Sequence, residues 1–129
     1  MEMRPIIKEH SHGYVKPDGN PMTGGEWWST TALYKKFIPI DSLTDDEAVA
    51  AWLADKYGED EVYIEAYITE GEDTSTNGYT FEVDEWFEAG KFFEITEQCP
   101  LLTAETRQAL WERLDAIAYD TDNYEPYTD

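Results

Sequence analysis

The sequence predicts an α+β fold, in which an antiparallel sheet of four to five strands packs two helices on one face. The prediction depends on two observations. Segments that alternate between apolar and polar residues stand before and after a segment with helical periodicity, and a second helical segment follows them. The length of 129 residues fits one domain and no linker rich in Pro, Gly or Ser divides the chain, so we expect a single domain over residues 1–129.

Five segments are typical of strands, because they are rich in aromatic and β-branched residues or alternate between apolar and polar ones. They are residues 4–16 (one strand or two), 26–40, 61–69, 79–83 and 91–96. The pattern is clearest in the third segment, where Val62, Ile64, Ala66 and Ile68 share one face. Pro39 ends the second strand or places it at a sheet edge, because proline cannot donate to a ladder.

Two segments are typical of helices. The first has Thr44 at the N-cap and Glu47 three residues later, which together make a capping box, and Gly58 ends it. Its apolar stripe consists of Val49, Trp52, Leu53 and Tyr57. The second helix covers residues 100–119, and its stripe consists of Leu110, Leu114 and Ile117. The other segments are residues 71–78 as a loop, 84–90 as a short helix or wide turn, and 121–129 as a loose acidic tail.

Charge is the feature that bears most directly on function. Twenty-nine Asp and Glu stand against nine Lys and Arg, which gives a formal charge of −20. Residues 1–40 carry four acids and five bases, whereas residues 41–129 carry twenty-five acids and four bases. Aromatic residues make up 15% of the chain, which indicates a packed core rather than disorder. The charge argues against direct binding to nucleic acid or an anionic membrane, since both are polyanions, and predicts a basic protein partner.

The candidate partner-binding surface is a grid of carboxylates on the sheet face that the helices leave free. Side chains on one face of a strand repeat every ~6.6 Å, and neighbouring strands lie about 4.8 Å apart. The strand residues of this surface are Glu61, Glu65, Glu82, Asp84 and Glu94, with Tyr63 and Tyr67 among them. Asp45 and Asp46 add to it from the first helix. The alternative is an ordinary solvated acidic surface, which is the usual meaning of a run of charge.

No pattern in the sequence points to catalysis, a metal or a cofactor, so we expect a non-enzymatic protein that uses neither. The pair His10 and His12 has no third ligand nearby in sequence other than Glu9. Cys99 is the only cysteine, which fits a buried apolar role in a reducing compartment. No apolar run approaches the ~20 residues of a membrane span, so the expected location is the cytoplasm.

Trp27 and Trp28 are adjacent on a predicted strand, so their side chains point to opposite faces. Two interpretations stay open. In the first, both rings are partly buried under the N-terminal loop. In the second, one of them forms an aromatic hot spot at a homodimer or partner interface.

In size, charge and aromatic content the chain resembles the small acidic phage-encoded inhibitors that mimic DNA and block restriction enzymes or CRISPR effectors. The resemblance covers the composition of residues 41–129 and no specific motif, and these inhibitors share no single fold, so it assigns no residue. It implies a non-enzymatic inhibitor that occupies the basic cleft of a nucleic-acid-binding protein. Two alternatives stay open: an acidic immunity protein against a basic nuclease toxin, and a structural or assembly protein whose charge serves only solubility.

Overall fold

The protein folds as an antiparallel sheet of five strands with three α-helices, as seen in a computed structural model that describes residues 6–15, 25–76, 78–87 and 90–128. The predicted α+β class is therefore confirmed. The strands are β1 (Ile7–Val15), β2 (Gly25–Pro39), β3 (Glu61–Asp73), β4 (Gly78–Phe87) and β5 (Glu125–Pro126). The helices are α1 (Glu47–Tyr57), α2 (Gly90–Gln98) and α3 (Ala104–Tyr119), and a 3-10 turn covers Ile40–Ser42. None of the helices in these ranges combines the length and hydropathy needed to cross a membrane.

The long central pair of strands organises the sheet. Its order is β1-β2-β3-β4, and β2 and β3 pair in register from Trp27 opposite Asp73 to Pro39 opposite Glu61. The other edge of β2 is shared, because β1 pairs with its first half and β5 with residues 34–35. A backbone hydrogen bond from Ile6 N to Tyr127 O (3.2 Å) joins these two edge segments.

The core lies between the helices and the end of the sheet near Pro39. Alternation along β3 buries Val62, Ile64, Ala66 and Ile68, as the sequence predicts. The apolar cluster beneath the helices consists of Ile38, Ile40, Leu43, Val49, Leu53, Val62, Ile64, Phe92, Cys99, Leu102, Leu110, Leu114 and Ala118. Both predicted helical stripes therefore face the sheet, and Cys99 takes the buried apolar role expected of it.

The start of α1 differs from the prediction. Its N-cap is Asp46, whose Oδ1 accepts from the backbone N–H groups of Ala48 (2.9 Å) and Val49 (3.3 Å). Thr44 instead accepts from the backbone N–H of Asp46 through its hydroxyl (3.1 Å). Aspartate is as good an N-cap as threonine, so the helix begins two residues later than the capping-box pattern indicates. The end is as predicted, with Gly58 in the left-handed region at φ 88°.

Residues 91–96 form part of helix α2, so the predicted strand there is wrong. Phe92 and Thr96 are both buried and lie one helical turn apart. Contacts from α3 hold this turn, because Trp111 Nε1 donates to Thr96 Oγ1 (2.8 Å) and Arg107 Nε donates to Thr96 O (3.0 Å). A short run such as Lys-Phe-Phe-Glu-Ile-Thr carries too little periodicity to separate helix from strand. Packing against α3 in the folded protein decides that this segment is a helix.

Strands β3 and β4 are longer than their sequence patterns suggest. β3 continues to Asp73, and β4 runs from Gly78 to Phe87, through residues expected to form a loop and a turn. Cross-strand pairing extends both strands, since Glu72 lies opposite Tyr79 and Glu65 opposite Phe87. A register shift between Tyr67 and Ile68 accommodates one extra residue, Asp84, in β4.

The C-terminal segment is docked up to residue 128, which corrects the expectation of a loose tail over residues 121–129. Tyr127 N donates to Leu33 O (2.9 Å) beside the β5 pairing. Tyr124 packs against the core, and its hydroxyl donates to the carbonyl of Ala118. Asp129 lies outside the described residues. Contacts of Tyr124 and Tyr127 therefore hold the C-terminal segment against the sheet and the core, although its acidic composition suggested a loose tail.

Lys36 is a buried cation at the centre of this arrangement. Only 3% of it is exposed, and it points from β2 toward the helices. Its Nζ donates to the carbonyls of Ile117 (2.7 Å) and Asp120 (2.8 Å) at the end of α3 and lies 4.6 Å from the Tyr124 ring centroid. Burial lowers the pKa of this ammonium, although the charges of Asp120 and Asp122 oppose that effect. A cation at the carboxyl end of a helix also meets the negative end of the helix dipole.

Lys36→Met should lower the free energy of unfolding by about 2 kcal/mol, because it removes two charge-assisted hydrogen bonds to the partly buried end of α3. The matched control is Lys56→Met, which removes the same charge from an exposed side chain over Trp52. That change should stay within about 0.5 kcal/mol. Urea unfolding of both variants measures the difference, and equal effects would contradict the central role of Lys36.

Candidate partner-binding surface

The sheet face opposite the helices presents carboxylates and aromatic rings in alternation. We call it the open face and define it by Leu33, Lys35 and Phe37 of β2, Glu61, Tyr63, Glu65 and Tyr67 of β3, and Glu82, Glu85 and Phe87 of β4. Cross-strand register fixes the rows. Phe37 lies opposite Tyr63, and Lys35 lies opposite Glu65. Successive side chains of a strand point to opposite faces, so the alternation that buries Val62 and Ile64 also places Glu61, Tyr63 and Glu65 on the open face.

The structure brings five of the nine predicted site residues onto the open face and separates the other four. The five are Glu61, Tyr63, Glu65, Tyr67 and Glu82. Glu94 lies on α2 because residues 91–96 are helical, so its expected place in the strand grid is wrong. Asp45 and Asp46 lie at the start of α1 in the helical layer, and Asp84 is the extra residue of the β4 bulge.

The open face also contains residues that the sequence pattern missed. Glu85 lies opposite Tyr67 and Phe87 opposite Glu65, because the bulge shifts the alternation of β4 by one residue. Phe37 lies opposite Tyr63. The sequence did not show which face of β2 Phe37 occupies, because both faces of that strand carry aromatic side chains. The bulge left no local signal in the sequence.

Two phenylalanine side chains on the open face are exposed to solvent. Phe37 is 44% and Phe87 is 38% exposed. The Phe37 and Tyr63 ring centroids are 5.3 Å apart, as are those of Tyr67 and Phe87. The Tyr63 hydroxyl donates to Glu65 Oε1 (2.8 Å). The surface therefore offers ring faces between carboxylates, rather than the uniform carboxylate grid that the sequence suggested.

The described lysines and arginines do little to neutralise the carboxylates. Five lie over aromatic rings: Lys8 over Tyr67, Lys35 over Tyr127, Lys36 over Tyr124, Lys56 over Trp52 and Lys91 over Tyr57. Arg107 donates to a backbone carbonyl. Within the described ranges, the ion pair found is Arg113 with Asp45, at 3.4 Å. Cation–π contacts leave the charge of the carboxylates available to a partner.

A second aromatic and acidic group lies on the helix side of the sheet, toward its far end. The Tyr79 hydroxyl donates to Glu70 Oε1 (2.9 Å), and Tyr34 meets Phe81 edge-on at 6.0 Å. This hydrogen bond raises the pKa of Tyr79, and burial together with the Glu70 charge raises the pKa of Tyr34. These contacts connect β2, β3 and β4 beyond the core.

Three other sequence features have defined places. His10 Nδ1 lies 2.6 Å from Thr30 Oγ1, and the ring centroids of His10 and His12 are 5.9 Å apart. In the part of the chain that the structure describes, no group of three or more His, Cys, Asp and Glu is arranged to hold a metal ion. Trp27 pairs with Asp73 and Trp28 with Glu72, so the two indoles occupy opposite faces of β2.

Comparison with known proteins yields no relative: no protein-family model, no curated protein and no solved structure matches the chain. What the protein does must therefore be inferred from its own surface chemistry.

Stability should fall as the pH rises above 10, because four tyrosines bind their protons more tightly when folded. Burial, helped by the charge of Asp120, raises the pKa of Tyr124 to about 12, and burial with the Glu65 contact raises the pKa of Tyr63. The pKa values of Tyr34 and Tyr79 are also raised from 10.0. Their contribution is complete below the unfolded pKa of 10.0 and is lost as the pH rises toward the folded values.

Urea midpoints across this range, with tyrosinate absorbance in parallel, measure the effect. Lys36 has a lowered pKa and acts with the opposite sign, but only up to its unfolded value of 10.5. Tyr124→Phe should remove one late-titrating group from the absorbance curve. Nine tyrosines ionising together near their ordinary pKa, with no loss of stability, would refute the assignment.

Added salt should raise the melting temperature at neutral pH. The charge is −20, and the described residues show the single ion pair Arg113–Asp45, so many carboxylates repel one another. Salt screens that repulsion over about 8 Å at physiological ionic strength. Sodium chloride should act well below the concentrations at which salts strengthen hydrophobic burial. Sucrose at matched osmolality is the control, and an unchanged melting temperature in salt would mean that the carboxylates are already compensated.

Proposed function

We propose that this protein is a non-enzymatic inhibitor that occupies the basic cleft of a nucleic-acid-binding protein, namely a phage-defence nuclease such as a CRISPR effector or a restriction enzyme. It would act in the cytoplasm, where such nucleases meet nucleic acid. The observation that carries the proposal is that most carboxylates have no basic partner among the described residues. Twenty-nine acids face nine bases, and the described bases lie mostly against rings and carbonyls instead of carboxylates.

The open face supports this function through its chemistry and its rigidity. Glu61 and Glu65 lie four residues apart on β3, about 13 Å. On the neighbouring strand, Glu85 lies opposite Tyr67 and Glu82 lies opposite Thr69. These carboxylates would meet the lysines and arginines that otherwise contact phosphates. Tyr63 and Tyr67 add ring faces and a hydroxyl between them. Because β3 pairs with β2 along this whole stretch and with β4 from Glu65 onward, the strands hold these carboxylates in place before binding, which lowers the entropic cost of association.

The mechanism is occupancy of the cleft, so binding should exclude nucleic acid. Opposite charges on the two proteins should make association fast and sensitive to salt. Each exposed pair contributes only ~0–1 kcal/mol, so the energy is spread over the surface rather than concentrated in one residue. The aromatic rings would supply the more localised contribution, as at other protein interfaces.

The test measures DNA cleavage and DNA binding by a panel of purified restriction enzymes, CRISPR effectors and nuclease toxins, with and without this protein. The combined variant Glu61→Gln, Glu65→Gln, Glu82→Gln and Glu85→Gln should weaken inhibition of a responsive nuclease by roughly tenfold or more. The control Asp55→Asn, Glu59→Gln, Glu97→Gln and Glu105→Gln removes the same charge from exposed positions in or beside the helices. It should retain inhibition, and both variants should keep the native fold by circular dichroism.

Three outcomes would contradict the proposal or redirect it. A complex that holds nuclease, DNA and this protein together would rule out occupancy. Equal loss of inhibition in the two variants would contradict a role for the open face in particular, and failure of the native protein to inhibit any nuclease would favour a structural role in which charge serves only solubility. Inhibition confined to a nuclease toxin would identify an immunity protein, which uses the same chemistry on a different target.

A further inference from the structure

A cavity of about 470 Å³ lies on the same side of the sheet as the open face and begins at Thr69, which is opposite Glu82. We call it the distal pocket. Its lining includes Trp27, Ser29, Thr69, Gly71, Asp73 and Thr80. Register places Ser29 opposite Gly71, and Gly71 opposite Thr80, so one row of the sheet carries only small side chains. This row forms the floor, and the larger residues on either side of it leave a depression.

Two glycines at which neighbouring atoms leave no room for a side chain determine the shape of the pocket. A Cβ at Gly71 would lie 2.8 Å from the carbonyl oxygen of Trp28, so this position accepts no side chain without a backbone shift. A Cβ at Gly13 would lie 2.5 Å from Nε1 of Trp27. The indole therefore lies against β1, across the strand from Asp73, and forms one side of the pocket. Trp27 remains 37% exposed.

Asp73 provides a fixed negative charge directly opposite Trp27 in the β2–β3 pair. Its Oδ1 accepts from the backbone N–H of Ser75 (2.9 Å) and from the Ser75 hydroxyl (2.6 Å). Those two contacts hold the carboxylate in one orientation. The second oxygen, Oδ2, is the acceptor that we assign to a ligand.

We propose that the distal pocket receives an arginine side chain of the basic partner, with its guanidinium against the Trp27 indole and its N–H groups donating to Asp73. This assignment depends on the proposed function for the existence of that partner. A planar guanidinium can stack on a ring while it donates in its own plane, which a compact ammonium cannot do. Hydroxyls of Ser29 and Thr80 add acceptors beside the carboxylate.

A contact within the chain supports the choice of a cation. On the same face, Lys8 Nζ lies 4.6 Å from the centroid of the Tyr67 ring. This face therefore already holds one cation over an aromatic ring. A partner would meet the same combination in the distal pocket, which Trp27 and Asp73 both line.

The experiment titrates the full chain with two labelled peptides of equal length, oligo-arginine and oligo-lysine, at one ionic strength. Oligo-arginine should bind about fivefold more tightly, because stacking on the indole adds to the common electrostatic attraction. Asp73→Asn, which keeps the oxygen that accepts from Ser75, and Thr80→Tyr, which fills the pocket from an exposed position on β4, should each abolish the preference. Asp55→Asn changes the net charge as Asp73→Asn does and should preserve it.

Equal affinity of the native protein for the two peptides would overturn the arginine assignment, as would a preference that survives both pocket variants. Trp27→Ala should also abolish the preference, and urea unfolding of each variant identifies any loss caused by misfolding. The proposed function can fail separately. If the proposed function is wrong and the arginine assignment is right, the native protein inhibits no nuclease but still prefers oligo-arginine. If only the arginine assignment is wrong, the preference is absent, whereas inhibition and its salt dependence are unchanged.

Discussion

The contact between Lys36 and the end of α3 is the interaction on which the rest of the structure depends. One ammonium donates to two carbonyls of the third helix and lies against the ring of Tyr124. It therefore holds the longest helix against the central strand and fixes the start of the C-terminal segment. That segment then pairs with β2 beside β1. In a chain of charge −20, a buried cation is stabilised by the carboxylates around it, here Asp120 and Asp122.

The core and the candidate binding surface arise from a single property of β3. Its odd-numbered positions present Glu61, Tyr63, Glu65 and Tyr67, while its even-numbered positions bury Val62 and Ile64. A slip of one residue in register would exchange the two sets, so the apolar core fixes the orientation of the charged face. The packing of the core therefore holds the side chains of this surface on the outward face of the sheet. This coupling explains how a highly charged small domain can present an ordered array.

The described cations stabilise the fold without cancelling its charge. Lys8, Lys56 and Lys91 lie over aromatic rings, where their charge is held by the ring face rather than by a carboxylate. Among the described bases, Arg113 pairs with an acid, Asp45, and this ion pair lies in the helical layer. The open face thus retains its negative potential and its exposed rings.

The sequence by itself determined the α+β class, the two long helices, the alternation of β3 and the excess of acid, because each is recorded in local periodicity or composition. Only the tertiary structure decided that residues 91–96 are helical, through the contacts of Thr96 with α3. It also decided which carboxylates share a surface, since a bulge at Asp84 brings Glu85 onto the open face and the helical state of α2 removes Glu94. Periodicity shows which side chains of one segment share a face. It carries no information on the strand that pairs with that segment or on the register between them, and those two facts position the site.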